Sequence, residues 1–158
     1  HADAVDDPIR ERLADLWDER VQHVREHPED KDELKDFYWF IRSDKFPTAW
    51  WLPRLKEALE LDGDLKTHGM IGEQLAAAAA DNPRDALDCI VKLLAPDETS
   101  DFDNYDLRIN ALAPVIAAAL DSPDPQLNSD ARQLMNHMGA KGEIDLEKRV
   151  SALREGAP

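Results

Sequence analysis

Apolar residues recur along this chain at intervals of three and four rather than two, so helices are the elements the pattern predicts. In "DDPIRERLADLWDERVQHVREHP", Ile9, Leu13, Leu16, Trp17, Val21 and Val24 fall at helical spacing. Asp7 is placed to act as an N-cap there and Pro8 occupies the first helical position. Pro28 ends that helix and begins a second, to about Ile41, in which Leu34, Phe37, Tyr38 and Ile41 share a face. A third runs from Thr48 to Leu61; Pro53 falls close enough to its first turn to be tolerated, and Gly63 stops it. "HGMIGEQLAAAAADNPRDALDCIVKLLAP" predicts two more helices broken at Asp81-Asn82-Pro83, with Pro83 at the first helical position and Pro96 as a terminator. Beyond the polar loop "DETSDFDN" comes Leu107 to Leu120, kinked or restarted at Pro114. After it come a helix from about Gln126 to Met138 capped by Gly139 and a short last helix, Leu146 to Leu153. No segment of useful length alternates with period two, so no sheet is expected.

Two linkers are alike. "AAAAADNPRDAL" (Ala76 to Leu87) and "AAALDSPDPQL" (Ala117 to Leu127) each run from small residues through Asp and a polar residue to Pro and a new helix. Pairing the helices as 28–61, 69–95 and 107–138 gives a recurrence of about 40 residues, the period of HEAT-type helix pairs. The expected fold is therefore all-α, a short right-handed α-solenoid of antiparallel helix pairs, HEAT-like, with about seven to eight helices. The alanine runs suit it, because small side chains let neighbouring helices approach closely while each pair buries its apolar face against the next.

Composition narrows the classes of function. A chain of 158 residues can bury a sizeable core, and residues 1–158 read as a single all-helical domain. The start His1-Ala2, without methionine, reads as a tag or cleavage remnant, residues 1–5 being either disordered or such a remnant, and the chain as a fragment of a longer protein. The formal charge is -15, with 19 Lys and Arg interleaved among 34 Asp and Glu, which argues against a nucleic-acid partner. No apolar run approaches the roughly 18–20 residues that span a bilayer, so no membrane partner is expected and a cytoplasmic location is. Cys89 is the sole cysteine, which excludes an intrachain disulfide.

Four segments carry a resemblance: "RERLADLWDERV", "LKDFYWFIRSDKFPTAWWLPRLKEALEL", "GEQLAAAAADNPRDALDCIVKLL" and "QLMNHMGAKGEIDLEKRVSAL". Together they resemble the C-terminal helical-repeat region of large bacterial NTPase-type proteins, including STAND and sirtuin-linked anti-phage defence proteins. In that pattern a Leu-Trp helix precedes an aromatic helix, a short turn, a Trp-containing helix and a closing glycine loop. The matching positions are Trp17, Trp39 with Phe40, Lys45 with Phe46, Trp50 with Trp51, and Gly139 to Gly142. The likeness covers residues 10–153 and departs from the pattern at Pro53 and Pro114. These are packing signatures. The resemblance implies that catalysis belongs to other domains of such proteins, and no phosphate-binding glycine loop brings ATPase or NAD-hydrolase chemistry to this chain.

The candidate chemistry lies mainly in Lys35 to Ala58, which holds seven of the ten aromatic residues. Trp51, Leu55, Ala58 and Leu59 form a core stripe alongside that of Leu34, Phe37, Tyr38 and Ile41. Trp39 shares a polar flank with Lys35 and Arg42, and Trp50 shares a side with Arg54 and Glu57. One reading packs Trp39 against Trp17. The other makes Trp39, Arg42, Phe46, Trp50 and Arg54 a protein-binding patch, since exposed Trp beside Arg is typical of interface anchors.

His23 and His27, four apart on a helix, are the weak metal-ligand candidates; no closed ligand set accompanies them. "DFDNYD" (Asp101 to Asp106) fails the EF-hand pattern, which needs glycine where Asp106 stands and glutamate where Leu112 stands. "GMIG" (Gly69 to Gly72) reads as a helix start rather than an RNA clamp. Cys89, between Leu87 and Leu93, reads as a small buried hydrophobe rather than a nucleophile. The function expected is a non-enzymatic interaction or scaffold module, monomeric or weakly dimeric, without cofactor. Its partner would be another protein or sibling domains of its parent chain. The alternatives are a small metal-dependent hydrolase using the acidic loops with His23 and His27, or a small-ligand sensor whose pocket is flanked by Trp39, Phe46 and Trp50.

Overall fold

The computed structural model describes residues 8–62, 71–94 and 105–156. Every regular element among these residues is helical, with no strand, and no helix among them is long and apolar enough to cross a membrane. They fall into two compact units, residues 1–69 and 70–158. Asp7, Gly63, Gly69, Pro96 and the loop Asp97 to Asn104 lie outside the described residues.

In the first unit, α1 (Pro8–Glu26) is followed by a 3₁₀ segment (Pro28–Phe37), a short α2 (Tyr38–Arg42) and α3 (Thr48–Leu61). The second of these departs from the expected continuous α-helix between Pro28 and Ile41. Its inward residues Lys31, Leu34 and Phe37 are spaced by three, and a 3₁₀ helix, with three residues per turn, eclipses such positions along one edge. Leu34 and Phe37 are buried on that edge, while Lys31 forms an ion pair 3.5 Å long with the buried carboxylate of Asp62. Pro53 stands in the second turn of α3, not the first. Both Pro53 and Ala49, whose carbonyl loses its donor, are exposed, so water can satisfy that carbonyl.

On α1 the buried stripe is Trp17, Val21 and Val24. Ile9, Leu13 and Leu16, expected on the same apolar face, are instead 69%, 42% and 50% exposed. The physical reason is phase: the inward row is Arg10, Ala14, Trp17, Val21 and Val24, one residue on from the row of Ile9, Leu13 and Leu16, and 100° separates successive residues.

In the second unit, α4 (Gly72–Ala79) and α5 (Pro83–Leu94) precede a π-helical turn (Leu107–Ala111) that runs into α6 (Leu112–Asp121). Then come α7 (Pro125–Ala140) and α8 (Leu146–Arg154). Proline at position 114 lacks an N–H, and its ring crowds the carbonyl four residues back, at Asn110; the widened π turn takes up the misfit just ahead of it. α6 buries Leu112, Ala113, Val115, Ile116, Ala117, Ala119 and Leu120, and α4, α5, α7 and α8 all pack against it. A helix apolar on nearly every side belongs at the centre.

Gly139 does not cap α7, contrary to expectation, because the helix continues to Ala140. Gly142, at φ 113°, takes the left-handed position instead. Its N–H donates to the Gly139 carbonyl at 3.2 Å, and that of Glu143 to the Met138 carbonyl at 3.0 Å, the paired bonds of a Schellman ending. Asp124 caps the start of α7, accepting from the Gln126 N–H at 2.9 Å.

Candidate functional site

The buried face of α1, the 3₁₀ edge and the first turn of α3 converge on a ring cluster. Trp17 lies 4.5 Å from Phe37 and 5.5 Å from Phe40 between ring centres, Phe40 lies 5.0 Å from Phe46, and Phe46 lies 4.6 Å from Trp50. Tilted and edge contacts of this kind are the favourable arrangements for aromatic pairs. Trp17 is buried at the centre, and its indole Nε1 finds no acceptor among the described residues.

Arg54 closes one side. Its guanidinium stands 4.4 Å above the Trp50 ring, its Nε and Nη2 donate to the Asp18 carboxylate at 2.9 and 3.2 Å, and its Nη1 donates to the Trp50 carbonyl at 3.1 Å. A cation over an indole and a two-point carboxylate contact lock the side chain in place.

The five partner-binding candidates therefore divide. Phe46 is buried, and Trp50 and Arg54 are bound into the cluster. Trp39, 62% exposed, stacks on Tyr38 at 5.1 Å, and Arg42 is exposed at the end of α2. Phe40 takes the place beside Trp17 that one reading gave to Trp39. Its signal was the three-residue step from Phe37, which puts the two rings on one side of a helix.

No protein family, characterised protein or solved structure matches the chain.

His23 and His27 do not converge on one point. Their rings stack with centres 4.6 Å apart, and Nδ1 of His27 lies 3.3 Å from the His23 carbonyl. His23 turns instead to the 3₁₀ segment, its Nε2 2.7 Å from Oδ2 of Asp30, and ligand atoms of His23, Asp30 and Glu33 all lie within 4.8 Å of one another. The segment kinks at Asp30, whose dihedrals (φ -94°, ψ 17°) leave the helical range, and this bend lies where Asp30 and Glu33 come beside His23. Chemically it offers one imidazole and two carboxylates, an incomplete shell for a divalent cation and open to water.

The hydrogen bond to Asp30 raises the His23 pKa above its ordinary 6.5, with the charges of Glu33, Asp30 and Glu26 adding to it and desolvation opposing. A raised histidine pKa stabilises the folded state below pH 6.5, and that contribution is lost as pH rises through the folded-state value. An NMR titration should place the His23 midpoint above 6.5 and return it toward that value in Asp30→Asn; an unmoved midpoint would mean the contact is absent in solution.

In the second unit Arg84 joins α5 to α7. It donates to Asp130 at 2.8 Å and to Asp88 at 3.3 Å, which lowers the Asp130 pKa and raises its own. The two look-alike linkers lie side by side: Ala80 and Pro83 from one, with Ala118, Asp121, Ser122 and Pro123 from the other, line one shallow open groove.

Proposed function

We propose that the chain is a non-enzymatic helical-repeat module of HEAT-like type, the C-terminal part of a larger bacterial NTPase-type protein, acting as a scaffold or protein-recognition surface. The observation that carries the reading is Trp39, which stands exposed outside the buried ring cluster and stacks on the half-buried Tyr38. A large ring held exposed beside Arg42 is the composition of an interface anchor. The repeat reading draws support from the second unit, where helices adjacent in order pack in contact: α4 with α5, α6 with α7 and α7 with α8. The adjacency of the two linkers with matching sequence supports it too.

The test is affinity purification with the wild-type chain and Trp39→Ala. The variant should keep its helical circular dichroism and its stability within about 0.5 kcal/mol, as surface changes do. Its partner should dissociate roughly tenfold or more faster, as losing a hot-spot ring requires. A partner held equally by both proteins would remove Trp39 from the interface. The metal-dependent hydrolase is the second reading, favoured by the His23, Asp30 and Glu33 grouping. One equivalent of zinc retained through dialysis, and lost in His23→Ala, would favour it over the scaffold.

A further inference from the structure

The exposed row of α1 has a symmetry of its own. Ile9, Leu13 and Leu16 are spaced by four and three, the seam of a two-helix coiled coil, and all three face solvent. The row continues at Arg20, whose guanidinium is drawn away, lying 5.9 Å over the Trp17 ring and donating to the Glu33 carbonyl at 3.4 Å. Its methylene stem is left as apolar cover. Flanking the seam on one side are Arg12 and Glu19, both exposed and neither ion-paired among the described residues.

We infer that this face binds a second copy of the chain, with α1 pairing antiparallel to α1 of its partner about a two-fold axis. Laid against its own reversed copy, the seam sets Leu13 of one protomer opposite Leu16 of the other, twice, and Ile9 against the partner's Arg20 stem. In the same register Arg12 faces Glu19 across the seam at both ends. A closed two-fold pair needs a surface complementary to itself, and opposite charges placed symmetrically about a leucine pair meet that condition. A parallel pairing would set like residues at the same height and lose the charge match. The apolar contact is small, so the dimer is a concentration-dependent one. The carboxylate-rich chains repel at long range, and about 0.15 M salt, where the screening length is roughly 8 Å, suppresses that repulsion while leaving contact pairs in place.

Sedimentation equilibrium of the 158-residue chain over a wide concentration range at that ionic strength tests the inference. Wild type should populate a dimer, and Leu13→Asp or Leu16→Asp should raise the dissociation constant roughly tenfold or more while circular dichroism stays unchanged, since both positions are exposed. Arg12→Glu and Glu19→Arg should each dissociate it, by placing like charges together, and the double variant Arg12→Glu with Glu19→Arg should restore it. A monomer at every concentration, a dimer indifferent to Leu13→Asp, or a charge swap that fails to restore association would each overturn it.

Discussion

Trp17→Ala should cost the first unit about 3–5 kcal/mol, the usual cost of deleting a buried indole. The ring touches Phe37 and Phe40 and is fully enclosed, so its removal opens a cavity where helix α1 meets the 3₁₀ edge. Domains hold only about 5–15 kcal/mol in total, so the loss is a large share. No hydrogen bond is surrendered, because Nε1 has no acceptor among the described residues. Trp17→Phe should therefore recover much of the deficit: it keeps an aromatic ring in place and deletes a buried N–H that was already unsatisfied. Native-state hydrogen exchange locates the effect, with protection falling in residues 8–62. A loss under about 1 kcal/mol on chemical denaturation would mean that the ring does not occupy a close-packed site.

Gly72→Ala is the second large effect, and its sign is informative. Helix propensity alone favours alanine over glycine by about 1 kcal/mol. The structure reverses that. A Cβ on residue 72 would stand 2.8 Å from both the backbone oxygen and Oδ2 of Asp106, and 3.0 Å from Cβ of Asn110. The approach is close because the Gly72 N–H, at the start of α4, donates to Oδ2 of Asp106 at 2.8 Å, and Asn110 holds the other carboxylate oxygen at 2.7 Å. An added methyl pushes the π turn away and breaks that cap, costing about 1–3 kcal/mol for the overpacking and roughly 1 more for the lost bond. Thermal denaturation of Gly72→Ala, Asp106→Ala and the double variant should show strong non-additivity, because both single changes break one contact. A rise in midpoint for Gly72→Ala would refute the close approach.

Helix positions were legible because prolines and apolar spacing are local signals. Pro8, Pro83 and the break before Pro125 mark starts that any chain with this covalent geometry must respect, and the all-helical class follows from the missing period-two pattern. What escaped was set by partners distant in sequence. The spacing of Ile9, Leu13 and Leu16 told that they share a row, but which row faces inward depended on where Trp17 meets Phe37. The His23, Asp30 and Glu33 grouping was hidden because it involves a kink at Asp30 that the apolar spacing does not mark. Arg54 beside Trp50 was readable as a four-residue helical neighbour; its grip on Asp18, 36 positions away, was not.

The burial of α6 on nearly every side has a consequence for how the second unit spends chain freedom. Ala113, Ala117 and Ala119 are buried and carry no side-chain rotamers to freeze, so ordering them costs only the backbone's share. The long side chains that do lose rotamers, Arg84 toward Asp130, Arg149 toward Glu143 and Arg154 toward Asp121, stand at the rim, where each ion pair returns little. The largest rotamer losses thus fall at the margin of the unit, in contacts that can release without disturbing the centre, where alanines with none to lose alternate with the more modest losses of Leu112, Val115, Ile116 and Leu120.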